Sequence, residues 1–159
     1  DGNGVFSLMR DSIPSLSEYP ETIVHDIEPI DLNRDGYNDL IIVQETDLQF
    51  SVIQILINNQ DGTFRDDTSW RIEKIGRKEW INWLWLLDLD HDGDLDLIAK
   101  HGNYQDPNPL LFINDGSGFF SWENLDFRLP YIYYTFLDLE GDEVYEFVFW
   151  ADDLYVIKN

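Results

Sequence analysis

The 159-residue sequence contains no cysteine and few basic residues. Without cysteine, the chain can form no disulfide, no thiolate metal site and no cysteine nucleophile. Ten lysine and arginine residues stand against 32 aspartate and glutamate residues, which gives a net charge of -22 at pH 7. Such a field repels nucleic acid and anionic membranes, and it attracts divalent cations or basic partners. No apolar run is long enough to predict a membrane-spanning helix.

The apolar content nevertheless predicts one folded domain. Apolar residues make up 43% of the chain and aromatic residues 15%, enough to fill the core of a domain of this length, so the chain is not a solvated acidic tail. Runs such as WINWLWLLD (80–88) and YIYYTFLD (131–138) are rich in strand formers and are bounded by turn residues. They predict β structure, and no convincing amphipathic helix is visible.

Two motifs repeat along the chain. Three acidic segments align without gaps, namely IDLNRDGYNDLII (30–42), LDLDHDGDLDLIA (87–99) and LDLEGDEVYEFVF (137–149). A turn motif alternates with them in LINNQDGTF (56–64) and LFINDGSGFF (111–120), and a further copy is divided between LYVIKN (154–159) and DGNGVF (1–6). Repetition at such a period is typical of repeat architectures. We expect one module over 1–159, with repeats at approximately 1–57, 58–113 and 114–159.

Each repeat is predicted to contain about four strands, with the acidic loop between the first two and a hairpin turn before the last. Strands that are apolar on both faces need cover on both sides, and radial stacking in a β-propeller provides it. The predicted fold class is therefore all-β, with three four-stranded antiparallel blades of a β-propeller. Because propellers have about four to eight blades, we expect further blades as partners. They would come from a longer parent chain or from other copies, in a dimer or a head-to-tail assembly.

The acidic loops place oxygen-bearing side chains on alternate positions. Counted from the first aspartate, positions 1, 3, 5 and 9 carry a carboxylate or, once, an amide, and position 7 varies as if it offered only its carbonyl oxygen. Ca²⁺ takes about six to eight oxygen ligands, which a tight loop can supply in this way. The predicted ligands are Asp31, Asn33, Asp35, Tyr37 and Asp39 in the first loop, Asp88, Asp90, Asp92, Asp94 and Asp96 in the second, and Asp138, Glu140, Asp142, Val144 and Glu146 in the third.

Position 6 separates the third loop from the other two. Gly36 and Gly93 occupy it in the first two loops, where the chain must turn sharply, but the third loop has Glu143 there. We therefore expect Ca²⁺ in the first two loops and leave the third open. Position 12, where an EF-hand needs a glutamate, is apolar in all three loops, so they are not EF-hands. The alternative, an acidic turn without an ion, would leave several adjacent carboxylates repelling one another.

The loops, their following strands and turns such as NDGSGFF resemble FG-GAP/VCBS repeats, the β-propeller blades of integrin α-subunit heads and of many secreted bacterial proteins. The resemblance covers essentially the whole chain. It implies Ca²⁺ bound in a β-hairpin loop between the first two strands of each blade, and an extracellular or cell-surface location. The sequence departs from the family pattern at Asn33, where aspartate is expected, and in the third loop, which has no glycine at position 6.

Three functions are compatible with these features. The first is a non-catalytic, calcium-binding module of an extracellular or surface protein that serves adhesion or assembly. The second is a lectin-like module that stacks glycans on rim aromatics, for which Trp70, Tyr104 and Trp122 are candidates; packing between blades is the alternative for the tryptophans. The third is the non-catalytic part of a larger secreted enzyme. No Ser-His-Asp grouping is readable, so we predict that the chain is not an enzyme, and we expect neither nucleic acid nor membrane insertion.

Overall fold

The computed structural model describes residues 12–16, 19, 21–46, 50–74, 79–101, 108–123, 134–142, 144–150 and 153–157. In this part of the chain, eleven β-strands form three antiparallel sheets, and the helical content is one turn, α1 (Thr68–Arg71). The predicted all-β class is confirmed. Among the described residues, no helix is long and apolar enough to cross a membrane.

The three sheets follow one another along the chain. The first contains, in order, β1 (Thr22–Ile30), β2 (Asp39–Thr46), β3 (Ser51–Asn58) and β4 (Phe64–Asp66). The second has the same order of β5 (Ile81–Leu87), β6 (Asp96–His101), β7 (Leu110–Asn114) and β8 (Phe120–Glu123). The third consists of β9 (Tyr134–Leu137), β10 (Glu146–Trp150) and β11 (Leu154–Ile157), with β10 in the centre. Residues 1–6, which carry the second half of the divided turn motif, lie outside the described residues.

Each acidic loop is the hairpin connection between the first two strands of its sheet, as the sequence predicts. The register is the same in all three sheets, because the residue before position 1 always pairs with position 9: Ile30 with Asp39, Leu87 with Asp96, and Leu137 with Glu146. The first strands of the first two sheets also share a register shift, which ends at the equivalent residues Asp26 and Trp83. The internal repeat is thus visible in the backbone.

The main core lies between the first two sheets, where β5 packs against β1, β2 and β3. It is aliphatic on the side of the first sheet, and the second sheet contributes two fully buried rings, Phe112 and Phe120. Asp26 of β1 also crosses to the second sheet, where its Oδ2 accepts a hydrogen bond from the Leu84 N–H at 2.8 Å. The contact between the two sheets is therefore extensive and close.

A smaller aromatic cluster joins the second and third sheets. The ring centroid of Trp85 lies 5.9 Å from that of Tyr134 and 6.1 Å from that of Phe136. Lys100 Nζ lies 4.6 Å from the ring centroid of Tyr134 and 5.5 Å from that of Trp85, which adds cation–π attraction. Trp85 therefore packs between sheets, whereas Trp83 is half exposed.

Candidate metal centre

The second acidic loop, residues 88–96, gathers three carboxylates. One oxygen each of Asp88, Asp90 and Asp96 lie within 4.8 Å of one another. Asp96 is fully buried, Asp88 is half-buried and Asp90 is exposed, so the cluster has one side toward solvent. Within the described part of the chain, it is the one group of three or more acidic or histidine side chains with this spacing.

Asp88 has an oxygen that the protein does not satisfy. Its Oδ2 accepts a hydrogen bond from the Gly93 N–H at 3.1 Å, but its Oδ1 is buried and has no hydrogen-bond partner among the described residues. Such a group costs about 1–3 kcal/mol or more when it is charged, and the nearby Asp90 and Asp96 add repulsion. A hard divalent cation, which prefers oxygen ligands, would satisfy this oxygen and offset the repulsion. The residues of the second loop therefore fit the predicted ion.

The acid at position 9 is also part of the folded framework. In all three loops it is buried and accepts a hydrogen bond from the N–H of position 2, with distances of 3.0 Å at Asp39, 2.7 Å at Asp96 and 2.9 Å at Glu146. Burial raises the pKa of Asp39 and Asp96, and the hydrogen bonds from backbone N–H groups offset this shift only in part. These carboxylates thus close their loops, and Asp96 is also one of the three clustered acids.

Two asparagines tie the hairpin turns to the acidic loops. The N–H of Asn58 donates to Asp39 and that of Asn114 to Asp96, both at 2.8 Å. The Nδ2 atom of each asparagine donates to the backbone carbonyl of the residue before position 9, at 3.0 Å for Asn58 and 3.1 Å for Asn114. The Oδ1 atom accepts a hydrogen bond from the backbone N–H two residues later, at 2.8 Å for Asn58 and 3.1 Å for Asn114. Sequence reasoning missed this role. The sequence signal for this role is the asparagine that repeats before each hairpin turn. The third such asparagine, Asn159, lies outside the described residues.

The loop backbone has two left-handed positions, of which the sequence predicts one. At position 6, Gly36 and Gly93 have φ of +87° and +91°, which confirms the predicted sharp turn. At position 4, Arg34 has φ of +58°, His91 of +62° and Gly141 of +74°. The third loop therefore has its glycine at position 4, where the first two loops hold larger residues. The alignment of Gly141 with Arg34 and His91 was the available signal.

The first loop uses its acceptors on its own backbone. Asp31 accepts the N–H of Asp35 at 3.0 Å with Oδ1 and the N–H of Gly36 at 2.9 Å with Oδ2. The side-chain amide of Asn33 donates to Asp35, and a hydrogen bond from the Tyr37 N–H lowers the pKa of Asp35. In the described part of the chain, these acids form no cluster like that of the second loop.

The third loop has a related pattern of side-chain to backbone hydrogen bonds. Asp138 Oδ1 accepts the N–H of Gly141 at 2.6 Å and that of Asp142 at 3.2 Å, and Asp142 accepts the N–H of Val144 at 3.2 Å. Glu140 is exposed, and Glu143 lies outside the described residues. Ion binding by this loop, which the sequence leaves open, is not tested by these contacts.

The other predicted ligands of the second loop and the predicted sugar-stacking residues do not belong to the cluster of three carboxylates. In the second loop, Asp92 accepts the Asp94 N–H at 2.9 Å, and the carboxylate of Asp94 forms an ion pair with Arg34 of the first loop. Of the candidate sugar-stacking residues, Trp70 on α1 is 80% exposed. Trp122 is half-buried and packs against the main core, and Tyr104 lies outside the described residues.

Comparison with known families identifies the repeat. Residues 31–99 match the family model of the FG-GAP-like repeat. The matched span begins at position 1 of the first loop and ends in β6, so it contains both of the first two acidic loops and the turn between them. No curated protein and no solved structure matches the chain. The predicted resemblance is confirmed over the matched residues: 31–99 are similar to the FG-GAP-like repeat.

Proposed function

We propose that the chain is a calcium-binding, non-catalytic repeat module of an extracellular or cell-surface protein, and that it serves adhesion or assembly. The FG-GAP-like repeat supports an extracellular-type module without catalytic activity. The buried, unpartnered Oδ1 of Asp88 inside a cluster of three carboxylates is the observation that supports the ion.

Asp88, Asp90 and Asp96 would hold the ion. Asp88 follows the end of β5 and Asp96 begins β6, so an ion bound to both would connect the two strands of the hairpin. Ca²⁺ suits such a loop better than Mg²⁺, because Ca²⁺ accepts irregular sets of many oxygens whereas Mg²⁺ demands octahedral geometry and keeps several waters. Bound Ca²⁺ supplies positive charge and no reaction chemistry here.

The partners are further blades. β11, at one edge of the third sheet, exposes four apolar side chains in succession (Leu154, Tyr155, Val156 and Ile157), and β1 of the first sheet exposes Ile23, Val24 and Ile27. Apolar surfaces on strands at the two ends of a row of sheets favour packing against another sheet. The covering sheets would come from a longer parent chain or from other copies of this chain. Sedimentation at increasing concentration tests the second source, which requires a rising mass.

Glycan binding is a second candidate because Trp70 is 80% exposed, as a sugar-stacking ring would be. A glycan array probed with the chain in calcium tests it. The candidate requires a signal that Trp70→Ala removes, and a silent array would exclude it.

Thermal unfolding in calcium and in chelator tests the calcium proposal. An ion present at about 100 times its dissociation constant stabilises the fold by about 2.7 kcal/mol, which raises Tm by about 5–11 °C for a chain of this size. Extracellular-type sites bind at about 10⁻⁴–10⁻³ M, so about 10–100 mM Ca²⁺ is needed.

Asp88→Asn should remove much of the Tm increase that calcium causes, because it replaces a charged ligand by a neutral amide. Asp61→Asn is the matched control: Asp61 is an exposed acid of the first hairpin turn, where it accepts hydrogen bonds from Thr63. This variant should keep the full increase. A Tm that is the same in calcium and in chelator would contradict the proposal.

A further inference from the structure

We infer that Arg34, at position 4 of the first loop, positions the second loop, so that calcium affinity in one sheet depends on a side chain from its neighbour. The inference rests on the proposed calcium function. The observation behind it is an ion pair between the Arg34 guanidinium and the Asp94 carboxylate, which crosses from the first sheet to the second.

The fold brings these two side chains together. Both loops are hairpins between the first two strands of sheets that pack on each other, and the left-handed backbone of Arg34, with φ of +58°, belongs to the tight turn of its loop. On the other side, a Cβ built at Gly116 would lie 2.7 Å from Asp94 Oδ2. The hairpin turn of the second sheet therefore closes against the Asp94 carboxylate, which is only 17% exposed.

Asp94 occupies the part of the loop where position matters for an ion. It stands at position 7, whose backbone carbonyl is a predicted ligand. Its N–H donates to Asp92 at 2.9 Å, and the buried Asp96 follows two residues later. Fixing the side chain of Asp94 therefore restrains the backbone between positions 5 and 9. The pair is particular to these two loops, because position 7 is Tyr37 in the first loop and Val144 in the third.

Arg34 has two opposite effects on a cation in the second loop. Its positive charge repels the ion, whereas its ion pair with Asp94 holds the loop in place. The pair is partly exposed, since the Arg34 side chain is 67% accessible, and exposed pairs change an equilibrium by about two- to fivefold. The sign of the change after removing the charge separates the two effects.

The experiment is a Ca²⁺ titration of the full chain followed by the Gly93 amide in ¹H–¹⁵N correlation spectra. This amide reports on the second loop, because it donates to Asp88. Arg34→Gln should weaken calcium binding by about two- to fivefold, although it removes a repelling charge. In an Asp94→Asn background, the same substitution should leave the affinity unchanged or raise it. Arg65→Gln, which removes a charge whose contacts are Asn59 and Asp67, the residues that follow β3 and β4, should not weaken binding.

Two results would overturn the inference alone: Arg34→Gln binds calcium as tightly as the wild-type chain or more tightly, or it weakens binding equally with and without Asp94. If the wild-type Gly93 amide does not respond to calcium at all, the proposed function fails and the inference fails with it.

Discussion

Replacing Asp96 by asparagine separates the two roles that the structure gives to the acid at position 9. As a ligand, Asp96 matters only when calcium is present. As a framework residue, it matters in the absence of any ion, because its buried carboxylate accepts hydrogen bonds from the Leu89 N–H at 2.7 Å and the Asn114 N–H at 2.8 Å. We therefore expect Asp96→Asn to destabilise the chain in chelator.

The size of this loss follows from the two hydrogen bonds. Asparagine keeps one oxygen but turns an NH₂ group toward the other backbone N–H, so one buried donor of Leu89 or Asn114 loses its acceptor. An unsatisfied buried donor costs about 1–3 kcal/mol, and a hydrogen bond to a charged acceptor contributes about 1.5–3 kcal/mol. The neutral amide avoids the desolvation that raises the pKa of Asp96, which offsets part of the loss. We expect a net decrease of about 2 kcal/mol in the free energy of unfolding.

Urea unfolding at neutral pH in chelator measures this decrease. Asp92→Asn is the matched control, because Asp92 is exposed and its one acceptor oxygen, which takes the Asp94 N–H at 2.9 Å, is retained in asparagine. The control should lose less than about 0.5 kcal/mol. Equal losses in the two variants, or a loss at Asp96 that appears only with calcium, would refute the framework role.

Two further predictions test the docking of the sheets and the pH dependence of calcium binding. Gly118→Ala should lower the free energy of unfolding in chelator more than Gly36→Ala. Both residues have left-handed backbone, which costs about 1–2 kcal/mol when a side chain is present. A Cβ at Gly118 would also lie 2.9 Å from the carbonyl oxygen of Leu32 in the first loop, whereas a Cβ at Gly36 would have nothing within 4 Å. Equal losses in the two variants would contradict the close contact between Gly118 and Leu32. Calcium affinity, followed by the Gly93 amide, should be lower at pH 3.8 than at about pH 7, because burial raises the pKa of Asp96 above its ordinary 3.8 and protons compete with the ion. Without calcium, acid has the opposite effect on the stability of the fold: the contribution of protonated Asp96 is fully present below pH 3.8 and is lost as the pH rises through the raised pKa. A calcium affinity that is the same at both pH values would contradict the prediction.

The sequence predicts the parts of this fold that depend on neighbouring residues in the chain. The alternating acids and the glycine at position 6 lie within nine residues, so their pattern predicts a tight hairpin loop, and Gly36 and Gly93 have the expected left-handed backbone. The second left-handed position was missed because Arg34 and His91 are not glycine. Side chains at such positions are tolerated where the surrounding loop determines the backbone, and a single sequence hides that requirement.

Contacts between repeats could not be predicted in the same way. The ion pair joins Arg34 to Asp94 across 60 positions, and it exists because two sheets pack with their loops side by side. The acids at position 9 were predicted as ligands, but each also contacts the third strand of its sheet. The N–H at the end of that strand donates to the acid, from Asn58 to Asp39 and from Asn114 to Asp96. Residue spacing within one loop contains no information on either partner.

The same limit explains why three similar loops differ in their acceptors. In the first loop, Asp31 uses both oxygens on backbone N–H groups of its own turn, whereas in the second loop Asp88 uses one. The two loops share an aspartate at position 1 and a glycine at position 6, so these two residues alone do not determine how many oxygens of the aspartate the backbone uses. The second loop is therefore the better place to test for the ion.

The second loop also shows how far the chain can offset its own charge. It carries five carboxylates, and the described residues supply several donors: backbone N–H groups for Asp96, Asp92 and one oxygen of Asp88, and a guanidinium for Asp94. These contacts leave the second oxygen of Asp88 buried beside two other carboxylates. In a chain with ten basic residues against 32 acidic ones, a further side-chain cation is scarce, whereas a divalent ion brings two charges and needs no side chain of its own. The acidic excess and the unsatisfied oxygen thus favour the same ligand from independent observations, one in the composition and one in the geometry.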